Sequence, residues 1–274
     1  MNKLAKIGIA GLGGLGTYAL LLKPRRNHPG WESLSGVRYA HRGLHDMRLG
    51  VPENSLAAFR RAVEHGFGAE LDVHLMADGN LAVIHDSSLL RVCGQNAVIE
   101  DLTLDDLARF PLLGNGETIP LLEEVLAVFE DRTPLIIELK SARSNANALT
   151  DAVMARLRSW SGTYCIESFD PVVLLRLRRR YPDVIRGQLS QNFVSGEHTG
   201  MGPAADFIMT HLLTTFLTKP DFVAYNHEHR GNTSLRLMKK AYGVHEAAWT
   251  VRSRELMDAL DKDGAVSIFE GFIP

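Results

Sequence analysis

The chain has 274 residues, 45% of them hydrophobic and 23% charged, with a formal net charge of −2. That length suits one large domain or two small ones around a sizeable buried core. The balance excludes a disordered chain, a collagen-like repeat and a basic nucleic-acid binder, so no nucleic-acid partner is expected.

The N-terminus carries GIAGLGGLG, which fits G-x-G-x-x-G at Gly11, Gly13 and Gly16. A dinucleotide-binding turn needs a strand before it, a helix after it and an acidic residue about 20 positions on. Here TYALLL runs into KPRRNHPG, with two prolines and no second strand, and Glu32 lies in a loop-like stretch. The βαβ unit is missing, so no nucleotide site is expected. Ile7 to Leu22 is instead a stretch of 16 residues without a charge, with Lys3 and Lys6 before it and Lys23, Arg25 and Arg26 after it. As a helix it would span about 24 Å, slightly less than the ~30 Å hydrocarbon core. Snorkelling lysines extend its reach. Residues 1–22 therefore read as a hydrophobic, single-pass membrane-anchor helix, which makes the membrane an expected partner and the protein membrane-associated. A cleaved signal segment and a soluble leader are the alternatives, although no clear A-x-A site follows Leu22. Positive charge is similar on both sides, which leaves the side of the membrane open. Residues 23–35 read as a linker.

From Val37 onward, short apolar runs alternate with amphipathic helical patterns. Strands are predicted at 37–40, 69–75, 81–85, 134–140, 163–168, 183–189, 206–210, 221–225, 246–251 and 266–270. Helices are predicted at 55–65, 104–110, 121–130, 146–160, 171–180, 232–242 and 253–262. Local signals mark several starts: Asn54-Ser55 before a periodic run, Thr103 with Asp106 as a capping box, and Asp170 as a cap before Pro171. Such alternation implies a parallel sheet. About eight units would close a TIM (β/α)8-type barrel of ~250 residues, here over residues 36–274, and an open doubly wound sheet is the other arrangement compatible with the pattern. Cys93 and Cys165 have no metal-like spacing and read as reduced, small apolar residues.

The polar residues gather at strand ends. In AELDVHL, Leu71, Val73 and Leu75 share one face, and Glu70, Asp72 and His74 share the other, because side chains alternate along a strand. VRYA ends in His41-Arg42-Gly43, LAVI in His85-Asp86, and PLIIE in Glu138 followed by Lys140. In a barrel these C-terminal ends converge on one mouth. Three carboxylates there make a hard, oxygen-rich site suited to one divalent cation, Mg²⁺ or Ca²⁺. Two imidazoles beside it exchange protons near neutral pH. Arg42 and Lys140 suit an anion, with phosphate the natural candidate.

HRG at 41–43, PENSLAAFRRAVEHG at 52–66, AELDVHLMADG at 69–79, VIHD at 83–86, IPLLEEVL at 119–126, LIIELK at 135–140 and SFDP at 168–171 together resemble the glycerophosphodiester phosphodiesterases. The resemblance implies a TIM-barrel-like fold with a small insertion after the HD motif, at about 87–119. It implies His41 and His85 as the acid–base pair, Glu70, Asp72 and Glu138 as metal carboxylates, and Arg42 and Lys140 as phosphate contacts. The implied reaction is metal-dependent hydrolysis of glycerophosphodiesters to glycerol 3-phosphate and an alcohol. AAWTVRS at 247–253 fits the family's strand-seven pattern, so Trp249 either walls the substrate pocket or is a core aromatic. His45 and Asp46 fall in a stretch between HRG and PEN. Glu270 and Gly271 stand where the family usually has Thr-Asp or Thr-Asn, a departure expected to bear on substrate preference. NHEHR at 226–230 reads as a solvated loop. A phospholipase D-like hydrolase acting on lysophospholipids or other lipid diesters is the alternative enzyme, and a non-catalytic phosphodiester-binding barrel is the reading from another class.

Overall fold

The computed structural model describes residues 16–25 and 28–274. Nine strands form one sheet: β1 (Tyr39–Ala40), β2 (Gly68–Leu75), β3 (Leu81–Val83), β4 (Leu135–Leu139), β5 (Tyr164–Ser168), β6 (Arg186–Ser190), β7 (Phe222–Asn226), β8 (His245–Val251) and β9 (Val266–Phe269). β1 pairs with both β2 and β9, all in parallel, so eight strands close a barrel. β3 is the exception and turns back antiparallel on β2. The outer layer holds α1 (Leu56–Glu64), α2 (Leu122–Phe129), α3 (Ala146–Leu157), α4 (Pro171–Arg180), α5 (Pro203–Thr210), α6 (Thr215–Thr218), α7 (Thr233–Leu237, wound on to Tyr242) and α8 (Arg254–Lys262). This is the TIM-type barrel expected from strand–helix alternation.

The start signals operate as predicted. Ser55 Oγ accepts from the Ala58 amide, Asp106 closes the capping box onto the Thr103 amide, and Asp170 caps the Pro171 helix through the Val172 amide. One predicted strand is a helix instead. The apolar run at 206–210, expected as a strand, is the end of α5, because Pro203 sits in the first turn and starts a helix upstream of it. Residues 87–119 lie between β3 and α2 and pack on a small core of their own, with Leu89, Val92, Ile99, Leu102 and Leu112.

Strand alternation divides the molecule into layers. Leu71, Val73, Ile137 and Ile166 point outward to the helices. Tyr39, Ile136, Cys165, Phe222, Ala247 and Val266 point inward and fill the lower barrel. Gly187 is required on β6, because a Cβ there would sit 2.2 Å from the Phe222 ring.

The segment expected as a linker is packed wherever it is described. Two short turns, Pro29–Trp31 and Glu32–Ser35, carry Trp31 and Leu34 into the open base of the barrel. The Trp31 ring stacks 4.5 Å from His245 and lies 5.2 Å from Phe222. Tyr39 donates its hydroxyl to the Leu34 carbonyl at 2.9 Å. Arg25 pairs through both Nε and Nη2 with buried Asp221, at 2.5 Å each. Gly11, Gly13 and most of the expected anchor helix lie outside the described residues. Its end, a short helix over 16–21 followed by Leu22, packs on the barrel. Leu22 is fully buried beside Leu212, Val223 and Met238, and Tyr18 Oη lies 2.6 Å from Ser234 Oγ. Among the described residues no helix is long and apolar enough to cross a membrane.

Trp31→Ala is expected to cost about 3–5 kcal/mol, the usual loss for a buried aromatic. Urea unfolding of the full chain measures it. A loss below 1 kcal/mol would mean the base segment is not part of the cooperative unit.

Candidate active site

The HRG turn follows β1 and runs through left-handed backbone, with φ of 54° at Arg42 and 78° at Gly43. Gly43 is demanded twice, since a Cβ there would also fall 2.9 Å from the Ala58 Cβ. Arg42 carries the strain of positive φ at a non-glycine residue. In return its amide donates to Glu70 Oε2 at 3.1 Å and its guanidinium Nη1 reaches Glu53 at 2.9 Å.

Ladder register places Asp72 beside Glu138 and Glu138 beside Glu167 across β2, β4 and β5. Glu70, Asp72 and Glu138 are all buried and offer oxygens that lie within 4.8 Å of one another. Among the described residues this is the one cluster of metal-ligating type. Lys140 Nζ lies 2.8 Å from Glu138 Oε2 and 3.1 Å from Asp72 Oδ1. Asn54 Nδ2 donates to Asp72 Oδ2 at 2.9 Å. Glu167 Oε2 is buried with no hydrogen-bond donor, and Asp72 Oδ1 faces the Lys140 ammonium without an aligned hydrogen bond. Buried carboxylate oxygens left undonated, in an all-oxygen set, fit a hard divalent cation. Glu167 is a fourth carboxylate that strand reasoning missed. Its signal was the same-face position in TYCIES, one strand over from Glu138.

Burial pushes the Glu70 carboxyl well up, and Asp72, Glu138 and Glu167 add to it. Burial likewise lifts Glu138 to about 7 against the opposing pull of Lys140. Asp72 goes the other way: burial alone would raise it, but Lys140, His85, Arg42 and the Asn54 hydrogen bond hold it below the usual carboxylate range. Three adjacent carboxyls thus share the negative charge unequally.

Each imidazole at the mouth is held by a carboxylate at Nδ1. His41 Nδ1–H donates to Glu270 Oε2 at 2.7 Å, leaving Nε2 3.9 Å from Glu70. His85 Nδ1–H donates to Asp86 at 2.6 Å, and Arg91 ties Asp86 to Glu53. Carboxylates only accept, so both rings are fixed with Nε2 as the exchangeable nitrogen. Burial lowers both imidazoles below their ordinary value; the Glu270 bond opposes this at His41, and Asp72 opposes it at His85. Glu270 is itself drawn down to about 2, chiefly by its hydrogen bond to His41. The residue expected to bear on substrate preference therefore orients the first imidazole.

The remaining predicted residues separate. Trp249 faces inward on β8, edge-on to Phe169 at 5.9 Å, with its buried indole N–H unpaired. His74, on the same strand face as Glu70 and Asp72, reaches away to the insertion. Its ring nitrogens meet Glu100 at 2.7 Å and the His85 carbonyl at 3.1 Å, which braces the HD turn. His45 lines, with Met47, Leu49, Glu270, Phe272 and Ile273, a cleft of about 480 Å³ beside the mouth. In NHEHR, Arg230 leaves the site and pairs with Glu246 and Asp263.

Fold and site together define a (β/α)8-barrel phosphodiesterase. The chain belongs to the glycerophosphoryl diester phosphodiesterase family, whose model matches residues 41–273. It is 34% identical over 162 residues to a glycerophosphodiester phosphodiesterase of Caldanaerobacter subterraneus subsp. tengcongensis, covering 56% of this chain and 65% of that one. It is 27% identical over 246 residues to the putative glycerophosphodiester phosphodiesterase YhdW of Bacillus subtilis, covering 85% and 95%. Among solved structures it resembles an Oleispira antarctica phosphodiesterase in complex with sn-glycerol-3-phosphate, at a TM-score of 0.68 and 22% identity, covering 87% and 94%.

Glu270→Gln is expected to lower the pKa of His41, because the carboxylate stabilises the imidazolium. The His41 ring titration, followed by NMR, then moves to lower pH; an unmoved titration would remove Glu270 from this role. Divalent-cation binding is expected to release protons, since Glu138 titrates near 7. Affinity should rise as pH rises through that range. Calorimetry in buffers of different ionisation enthalpy checks the release.

Proposed function

We propose that the chain hydrolyses glycerophosphodiesters to glycerol 3-phosphate and an alcohol, using His41 and His85 as an acid–base pair and one divalent cation, Mg²⁺ or Ca²⁺. The observation that carries this reading is the pair of carboxylate-held imidazoles flanking a buried three-carboxylate cradle. The product found in the Oleispira antarctica phosphodiesterase supports glycerol 3-phosphate as the product here.

Glu70, Asp72 and Glu138 would hold the cation. When bound, it supplies neutralisation of charge on the phosphoryl oxygens. One imidazole takes the proton of the nucleophile: either water, which gives glycerol 3-phosphate directly, or the substrate's adjacent hydroxyl, which gives a cyclic phosphate that water then opens to glycerol 3-phosphate. As the phosphorus–oxygen bond to the alcohol breaks, the other imidazole protonates the departing alkoxide. Glu270 and Asp86 keep each Nε2 turned to its task, as a buried acid does in a hydrolytic triad. Arg42 and Lys140 are the cationic groups at hand for the phosphate, and both now serve the carboxylates. Trp249, with its free N–H, walls the pocket on the β8 side.

Glycerol 3-phosphate release from glycerophosphocholine and glycerophosphoethanolamine, with EDTA and then with Mg²⁺ or Ca²⁺, tests the proposal. Release should depend on the metal, and His41→Ala and His85→Ala should each lose about 10²–10⁴ in kcat. Full activity in both variants would sink the mechanism. Turnover of lysophosphatidylcholine but not of glycerophosphocholine would move the substrate to the lipid class.

A further inference from the structure

The outer layer of a barrel normally turns a charged or polar stripe to water. α8 does so, with Arg254, Glu255, Asp258, Asp261 and Lys262 on its exposed side. The α5–α6 segment does not. Between Pro203 and Thr218 the only acidic or basic side chain apart from His211 is Asp206. Asp206 is buried and bonded to His198 and Thr199. What this segment exposes is Phe207, Ile208, Phe216 and Leu217, between 40% and 51% accessible.

The helix over 16–21 extends the same surface. His211, whose ring lies 4.4 Å from that of Phe207, approaches Ser234 at 3.4 Å, and Ser234 meets Tyr18. Leu22 packs against Leu212. Leu20 on this helix is 66% exposed. The fifteen residues before Gly16 contain Lys3 and Lys6, and no acidic residue occurs before Glu32.

Cations border the apolar face. Arg178 donates to the Leu217 carbonyl at 2.6 Å, so its guanidinium lies at the edge of α6. Lys219 donates to the Lys23 carbonyl at 2.7 Å. Burial, Arg178 and Lys23 together lower the Lys219 ammonium, as expected where like charges gather. Arg179 and Arg180 are exposed beside it in the last turn of α4. The exposed acids by the flank are Asp183 near this end and Glu197, next to the His198 that bonds Asp206 of α5; Asp221 is buried against Arg25.

We propose that the flank made by residues 16–21, α5 and α6 docks on a bilayer containing anionic lipid. Its apolar side chains enter the interfacial region, and Lys23, Arg178 and Lys219 meet the headgroups. Apolar residues beside a basic border are the composition of interfacial protein surfaces. Continuity with the apolar N-terminal stretch selects a membrane over a soluble partner. The surface lies on the side of the barrel rather than over its mouth, so the proposal is independent of the reaction.

The test uses the full chain with Phe216→Cys or Leu104→Cys, each carrying a polarity-sensitive fluorophore. Both native cysteines are buried, so labelling falls on the introduced residue. Leu104, in the insertion, is 48% exposed against 43% for Phe216. Vesicles of phosphatidylcholine and phosphatidylglycerol in equal amounts should shift the Phe216 probe to the blue. Phosphatidylcholine alone should do so less, and the Leu104 probe should not respond. Lys219→Gln and Lys23→Gln should each weaken partitioning roughly fivefold, the effect of one basic residue near an anionic surface. An aqueous Phe216 probe on vesicle-bound protein overturns the proposal, as does an equal shift at Leu104 or no binding to either vesicle. A shift without vesicles that grows with protein concentration makes the face a contact between copies and equally overturns it.

Discussion

The structure depends on keeping several carboxyl groups out of water inside one barrel mouth. Glu70, Asp72, Glu138 and Glu167 are each no more than 6% exposed. Burying an unpaired carboxylate is prohibitively costly, so such groups either take up a proton or find a cation. Both solutions occur here. Asp72 keeps its charge against Lys140 and Arg42, while Glu70 and Glu167 are pushed toward their neutral forms. A site arranged in this way is poised to exchange protons for a metal ion.

The surroundings follow from that constraint. The strained HRG turn brings the Arg42 amide onto Glu70 and its guanidinium toward Asp72. Asn54, itself at a positive φ of 51°, donates to Asp72 from the start of α1. The imidazoles need carboxylates of their own, and these come from the two flanks of β1. Glu270 follows β9, and Asp86 follows the strand that pairs antiparallel with β2. Beneath this polar half the barrel is apolar and is closed at its base by Trp31 and Leu34. The packed apolar lower barrel and the burial of the carboxylates above it place them in low dielectric, which is what displaces their titration.

The segment before β1 therefore has a structural role. Arg25 and the base turns attach it to the barrel, and the helix over 16–21 gives Tyr18 and Leu22 to the flank. The apolar stretch read as an anchor thus has its described end, residues 16–22, packed on the protein, and the α5–α6 face beside it exposes Phe207, Ile208, Phe216 and Leu217.

Much of this was legible in the chain itself. Strand–helix alternation determined a parallel sheet, which β1 closes into a barrel by pairing with both β2 and β9, and position on alternate residues of β2 and β4 put Glu70, Asp72 and Glu138 on one face. Those inferences are local, because strand geometry fixes which side chains share a face. His41, Arg42, His85 and Lys140 sit at strand ends that a closed barrel must bring together. Tertiary structure alone decided the rest. Glu270 meets His41 across 229 positions because barrel closure makes β9 the neighbour of β1. His74 shares its strand face with the cradle but turns to Glu100, since it sits beyond the rim beside the insertion. Residues 206–210 became helix because Pro203 set the start of a turn that an apolar run does not reveal. The base segment looked like a linker because its two buried side chains lack any periodicity; only the open end of a closed barrel gives Trp31 and Leu34 somewhere to go.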